Sequence, residues 1–258
     1  MVKTFSVTLF MAAALISALS AEAESGDTRL YELRTYHAEP GKLDSLLARF
    51  RSHTVKLFEK HGMTNIGYWV PAENPDNLLI YLLAFPDRET RDASFSAFLA
   101  DPEWVKAHAA SEADGKLVGS IDQVFMNATA FSKGFEMTDV SGKGRCYEMR
   151  TYTATPGNLP ALHSRFRDHT RALFEKHRMT NLGYFKLTPE QKNADSILLY
   201  FLAHEDAAAA VKSWIDFRSD PVWVAAKEAS EKQAGKSLTA EEGIKSMFLE
   251  PTDFSPLR

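Results

Sequence analysis

The chain has 258 residues, 45% of them hydrophobic, which is enough for one large domain or two small ones with substantial cores. Its 30 basic and 34 acidic residues leave a formal charge of -4 with the signs interspersed, which argues against the continuous basic surface that nucleic-acid binding needs. The single cysteine, Cys146, excludes a disulfide within the chain, and its place at the start of an inferred strand suits a small buried residue better than a nucleophile.

Residues 1–23 read as an export signal. Lys3 precedes an apolar stretch from Val7 to Leu19, and Ala21-Glu22-Ala23 offers a cleavage point. The stretch is short for a bilayer-spanning helix, so no stable membrane anchor is expected and the mature protein is placed in a periplasm or outside the cell.

Beyond it the chain says one thing twice. Tyr31-Glu32-Leu33-Arg34-Thr35-Tyr36 returns 116 residues later as Tyr147-Glu148-Met149-Arg150-Thr151-Tyr152, and Leu57-Phe58-Glu59-Lys60-His61 returns as Leu173-Phe174-Glu175-Lys176-His177. The offset grows to 119 at Trp104 and Trp223 and to 123 at Phe125 and Phe248, which places a second insertion before the last strand. The repeat divides the chain into a first half at 28–127, an exposed connection at 128–144 and a second half at 145–250. A tail follows at 251–258.

Each half opens on a strand whose Glu32, Arg34 and Tyr36, or Glu148, Arg150 and Tyr152, share one face. Such a polar face suits a charge network inside a barrel or between the halves, and catalysis is the alternative. After Pro40-Gly41 the spacing of Leu43, Leu46, Leu47, Phe50, Leu57 and Phe58 is helical, and it recurs in the second half. His53 and His169 fall on or beside the buried stripe, and Arg49 and Arg165 stand one turn earlier. Each helix thereby offers an Arg-His pair to an acidic ligand. His61 and His177 read as helix-terminal caps. His108 and Glu112 form one further His/Glu spacing, but Lys227 replaces the histidine in the second half and nothing here calls for a metal.

A β-hairpin follows each first helix, at Met63 to Phe85 and at Met179 to Ala203. Two helical stretches separated by Asp101-Pro102 or Asp220-Pro221 come next, and a strand around Ile121 to Met126 or Ile244 to Phe248 closes each half. The order β-α-β-β-α-β fits a ferredoxin-like α+β unit, and two in tandem predict an intramolecular dimeric α+β barrel. Tyr31, Tyr36, Tyr68, Tyr147, Tyr152 and Tyr184 could line its clefts, though packing is the preferred use for them.

The motif Tyr-Glu-x-Arg-x-Tyr followed by Pro-Gly, the repeated helical histidine and the Phe-Ser pairs at Phe131-Ser132 and Phe254-Ser255 resemble the NIPSNAP family over nearly all the chain after the export segment. The resemblance implies tandem dimeric α+β-barrel domains, in a superfamily that includes monooxygenases and haem-handling proteins. Its fold alone does not choose a reaction. The expectation is an exported protein that binds a small, partly apolar molecule in a cleft beside His53 or His169. One alternative is a small-molecule enzyme, monooxygenase-like or haem-handling, in which one of these histidines moves a proton or ligates iron. The other is a non-enzymatic scaffold capable of self-association. No cofactor is fixed by the sequence.

Overall fold

Alternation along the first strand decides where everything else goes. In the computed structural model, which describes residues 26–135 and 145–257, β1 spans Leu30–Ala38 and sends Tyr31 and Leu33 to one face and Glu32, Arg34 and Tyr36 to the other. The export segment at 1–23 lies outside the described residues, as does 136–144 of the expected connection. No helix among the described residues is long and apolar enough to cross a membrane.

The first half continues through α1 (Leu43–Arg49), a π-helical turn (Phe50–Thr54), α2 (Val55–Lys60), β2 (Thr64–Pro71), β3 (Leu78–Phe85), α3 (Arg88–Ala100), α4 (Pro102–Ser111) and β4 (Val118–Ala128). The second repeats it as β5 (Cys146–Ala154), α5 (Leu159–Arg165), a π-helical turn (Phe166–Thr170), α6 (Arg171–Lys176), β6 (Thr180–Leu187), β7 (Ile197–His204), α7 (Ala207–Ser219), α8 (Pro221–Ala234) and β8 (Thr239–Pro251). All pairings are antiparallel, and the strands close into one barrel in the order β1-β3-β2-β8-β5-β7-β6-β4. Short ladders join the halves, Trp69 to Pro71 of β2 on β8 and Met126 to Ala128 of β4 on β6, so no open sheet edge is left.

The barrel interior is apolar, built from Tyr31, Leu33, Trp69, Tyr147, Phe185, Phe201 and their neighbours. Trp69 stacks on Phe201 with centroids 5.8 Å apart. Gly67 is required there, because a Cβ at that position would lie 2.2 Å from the Trp69 ring. Two further cores lie between the outer barrel face and the helices of each half. The Glu-Arg-Tyr faces of β1 and β5 belong to these outer layers and not to the barrel interior or the contact between halves.

The expected insertion before the last strand lies partly within it. β8 has 13 residues against 11 in β4, and its register against β5 slips between Tyr152 and Ala154, where Glu242 takes a positive φ of 53°. The first stretch of the connection is packed rather than exposed. After β4 the chain crosses to the other half, where Thr129 N donates to Tyr184 O at 2.9 Å, Ser132 Oγ accepts from Tyr184 N at 3.1 Å and Phe131 joins the second-half core. The tail after β8 returns the exchange: Thr252 N donates to Tyr68 O at 2.9 Å, Ser255 Oγ accepts from Tyr68 N at 3.0 Å and Phe254 packs on the first-half core. The repeated Phe-Ser pairs are therefore reciprocal clasps, each made by one half on the other.

Two buried histidines have no counterpart in the first half, His163 and His204, which stands where that half has Phe85. His163 on α5 stands where the first half has Leu47, packs on Phe131 at 5.5 Å and has an Nε2 atom without a hydrogen-bond partner. Burial, with a smaller push from Lys186, holds its pKa down to about 4. The unfolded chain then takes up the proton first, so stability is full above pH 6.5 and falls as the pH drops from 6.5 toward 4. A range of about 3 kcal/mol is the upper bound. His163→Leu is expected to remove most of this slope, as read from urea midpoints at pH 7 and 4.5. An unchanged slope would show that the imidazole is solvated.

Candidate functional site

Glu32 is fully buried and accepts from three guanidinium nitrogens: Arg34 Nη1 at 2.5 Å, Arg91 Nε at 2.8 Å and Arg91 Nη2 at 2.7 Å. Arg34 reaches on to Tyr36 Oη at 3.4 Å and lies over the Phe95 ring at 4.9 Å. The Gln123 amide oxygen, in the orientation that satisfies both groups, accepts from Arg34 Nη1 at 2.5 Å. Even so, Arg34 Nε is buried without a partner.

Arg49 is 5% exposed at the end of α1 and donates from Nη1 to Glu112 Oε1 at 3.0 Å and to Ser111 Oγ at 3.3 Å. Its Nε is likewise unpartnered. The π-helical turn that follows fixes what faces inward. Val55 N bonds to Phe50 O, five residues back, and Thr54 Oγ1 donates to Arg49 O at 3.3 Å.

Arg34, Tyr36 and Arg49 come together in a cavity of about 560 Å³ between β1, β4 and helices α1, α3 and α4. Phe50, Phe58, Phe95, Phe98 and Trp104 contribute aromatic walls, and His108, Glu112 and Lys116 stand among its polar lining. The size suits a small organic molecule, and the lining combines apolar surface with a few convergent polar groups. Arg34, Arg49 and Lys116 face one lining carboxylate, Glu112, while Glu32 behind the wall is shared between Arg34 and Arg91. The balance is positive and favours an anionic or strongly accepting ligand group.

His53 and His169 do not join this site. His53 is half-buried outside the cavity and His169 is exposed. An α-helical count puts both near the apolar stripe, but the π-helical turn gives the inward place to Thr54 and Thr170, each about 1% exposed, and rotates the histidines outward. Arg165 and His169 do share a second cavity of about 430 Å³ against α8, with Asp168 and Ser230. His61 does not cap its own helix with its ring: Nε2 meets Asp101 Oδ2 at 2.7 Å, and His177 meets Asp220 in the same way. Asp101 also caps α4 by accepting from Glu103 N at 2.8 Å, so the Asp-Pro-x-Trp segments are latches between helices. Of the candidate tyrosines only Tyr36 lines the larger cavity; Tyr31 and Tyr147 point into the barrel, and Tyr68 and Tyr184 into the helix-side cores.

The second half builds a different network around the same residues. Glu148 accepts from Arg150 Nη1 at 2.5 Å, His204 Nε2 at 2.9 Å, Trp214 Nε1 at 2.7 Å and Ser246 Oγ at 2.5 Å. Arg150 lies over the Trp214 ring at 4.1 Å and reaches Tyr152 Oη at 3.4 Å. Arg165 is buried with only long contacts, 3.5 Å to Ser230 and 3.5 Å to Glu231, and burial pulls its guanidinium pKa down. Among the described residues no group of three or more His, Cys, Asp or Glu side chains is placed to hold a metal.

Arg91, Lys116 and the His108-Glu112 pair were not expected to belong to a binding site. Arg91 aligns with Ala210 and His108 with Lys227, so the repeat, which singled out the other candidates, passes over them. The failure of His108 to duplicate was itself the available signal.

A family model described as NIPSNAP matches residues 31–133 and 147–256. No curated protein matches the chain. Among solved structures, a candidate monooxygenase from Fusobacterium nucleatum is similar over 87% of this chain and 93% of its own, with a TM-score of 0.55 and 12% identity. Another, from Lactobacillus acidophilus, covers 87% of this chain and 94% of its own at a TM-score of 0.54 and 6% identity. An uncharacterised NIPSNAP domain protein from Burkholderia xenovorans covers 40% of this chain and 96% of its own, with a TM-score of 0.35 and 22% identity. At these identities the two longer likenesses bear on the barrel fold and not on its chemistry. Matched in both of its halves and over most of its length, the chain belongs to the NIPSNAP family.

Proposed function

We propose that the protein binds a small, partly apolar molecule carrying an acidic or strongly accepting oxygen, and that it does so in the first-half cavity. The observation that carries this reading is an aromatic cavity of about 560 Å³ lined by two arginines, each 5% exposed, and a lysine, against one lining carboxylate. The surplus of guanidinium and ammonium charge around this space is stabilised when a ligand supplies an anionic acceptor. Each half is a ferredoxin-like unit in this reading. The chain is exported on residues 1–23 and works outside the cytoplasm, so the purified mature protein should lack their mass.

Ile121 tests the site without disturbing the buried arginines, because it is 40% exposed and lines the cavity. A calorimetric screen of small aromatic acids is expected to find saturable binding, and Ile121→Trp to weaken it at least about tenfold, or 1.4 kcal/mol, with the melting temperature held. Equal affinity in the variant would move the ligand elsewhere. A second reading, small-molecule oxidation, draws on the barrel shared with two candidate monooxygenases. It predicts turnover that disappears in the same variant.

A further inference from the structure

His108 lines the cavity from α4, and its Nε2 faces Glu112 Oε1 at 3.5 Å, one turn along the helix. The same carboxylate oxygen accepts from Arg49 Nη1 at 3.0 Å, so an imidazole and a buried guanidinium meet at one acceptor. The Trp104 ring, part of the aromatic wall, lies 5.3 Å from the imidazole. A carboxylate beside one ring nitrogen favours the tautomer that keeps its hydrogen there and leaves the other nitrogen, Nδ1, to accept. The other ionisable groups lining the same space are Arg34, Tyr36, Arg49 and Lys116. With their surplus positive charge they favour an anion over its neutral acid.

We propose that the first-half cavity takes a hydroxyaromatic, phenol-type molecule and that His108, oriented by Glu112, accepts its hydroxyl proton. The inference rests on the small-molecule reading of this cavity and adds the class of ligand and the group that moves its proton. The O–H bond breaks, its electron pair stays on oxygen, and the proton passes to His108 Nδ1, so charge balances as a phenolate beside an imidazolium. No oxidant or metal enters the step. The ring lies among the aromatic walls, and the positive charge of Arg34 and Arg49, which line the same space, stabilises the anionic oxygen. Lys227 holds the position of His108 in the second half, which therefore has no imidazole at this place, so the step belongs to the first half.

The test is titration of the mature full-length protein with 2-naphthol at pH 7, read by the absorbance band of naphtholate. Calorimetry with 2-naphthoate, which has no hydroxyl proton to give, runs in parallel. The expected result is saturable 2-naphthol binding with a naphtholate band at a pH where the free probe is neutral. His108→Gln and His108→Leu should lose the band even at probe concentrations that saturate the variant. A band that persists in these variants, naphthol bound without ionising, or 2-naphthoate bound while 2-naphthol is not would each overturn the role of His108 and leave the small-molecule reading standing. Binding of neither probe would overturn both.

Discussion

Glu148→Ala is expected to cost about 3–5 kcal/mol of stability, on the scale seen when one member of a buried ion pair is removed. The carboxylate is fully buried, and its loss strips the strongest partner from Arg150, which is itself 8% exposed and keeps only Tyr152 Oη at 3.4 Å and the face of Trp214. His204, Trp214 and Ser246 lose an acceptor in the same change. Burial on its own would raise the Glu148 pKa. The hydrogen bond from His204, the charge of Arg150 and the bonds from Ser246 and Arg150 outweigh it and bring the group down to about 2. The native state therefore holds this proton less well than the unfolded chain. The contribution is fully present above pH 4.5 and is lost as the pH falls toward 2, over a range of about 3 kcal/mol. Urea midpoints at pH 7 and pH 3 check both statements: the deficit of Glu148→Ala should be large at pH 7 and smaller at pH 3. Glu148→Gln keeps the shape and two of the acceptor directions and is expected to lose about half as much. A midpoint unmoved by the alanine change would mean that water reaches Arg150.

The second large effect is expected from seven residues. Removing residues 252–258 takes away the Thr252 and Ser255 bonds to the Tyr68 backbone, the Phe254 ring at 5.5 Å from Tyr68 and Leu257, which is 3% exposed in the barrel interior. Leu257→Ala alone should cost about 2–5 kcal/mol by transfer and cavity terms. With the clasp gone as well, the loss approaches the whole stability of an ordinary domain, about 5–15 kcal/mol. The truncated chain is expected to keep much of its far-UV circular dichroism while losing near-UV signal and cooperative melting. Asp253→Ala should by contrast change little, because its pair with Arg51 is exposed. Cooperative unfolding of the truncated chain at a similar temperature would show that the tail only covers the surface.

Legibility in the sequence followed periodicity. The duplication, the strand faces and the helix-side stripe could be read because side chains at spacings of two and of three to four residues must share an environment. Closure of the barrel could be anticipated from the need to cover two sheet faces. His53 and His169 went astray because one π-helical turn changes the phase of a helix without any mark in its composition. Glu32 and Glu148 were correctly grouped with Arg34 and Arg150, but Arg91, His204 and Trp214, which complete their networks, stand at positions where the two halves carry different residues. In the first half a second cation meets the buried acid, and in the second half an imidazole and an indole do. The tail was legible as a motif, Phe254-Ser255, but not as a contact with Tyr68, 187 residues away.

The reciprocal clasps also set an order of events during synthesis. The first half leaves the ribosome early, yet its hairpin strand β2 still lacks β8, and Tyr68 still lacks the seryl oxygen and the ring that close over it. Both come from residues 249–255, which are made after nearly all of the second half. The half translated first is therefore closed only once residues 249–255 have emerged. Long-range closure of this kind costs loop entropy before any contact rewards it, so folding should be slow for a chain of this size.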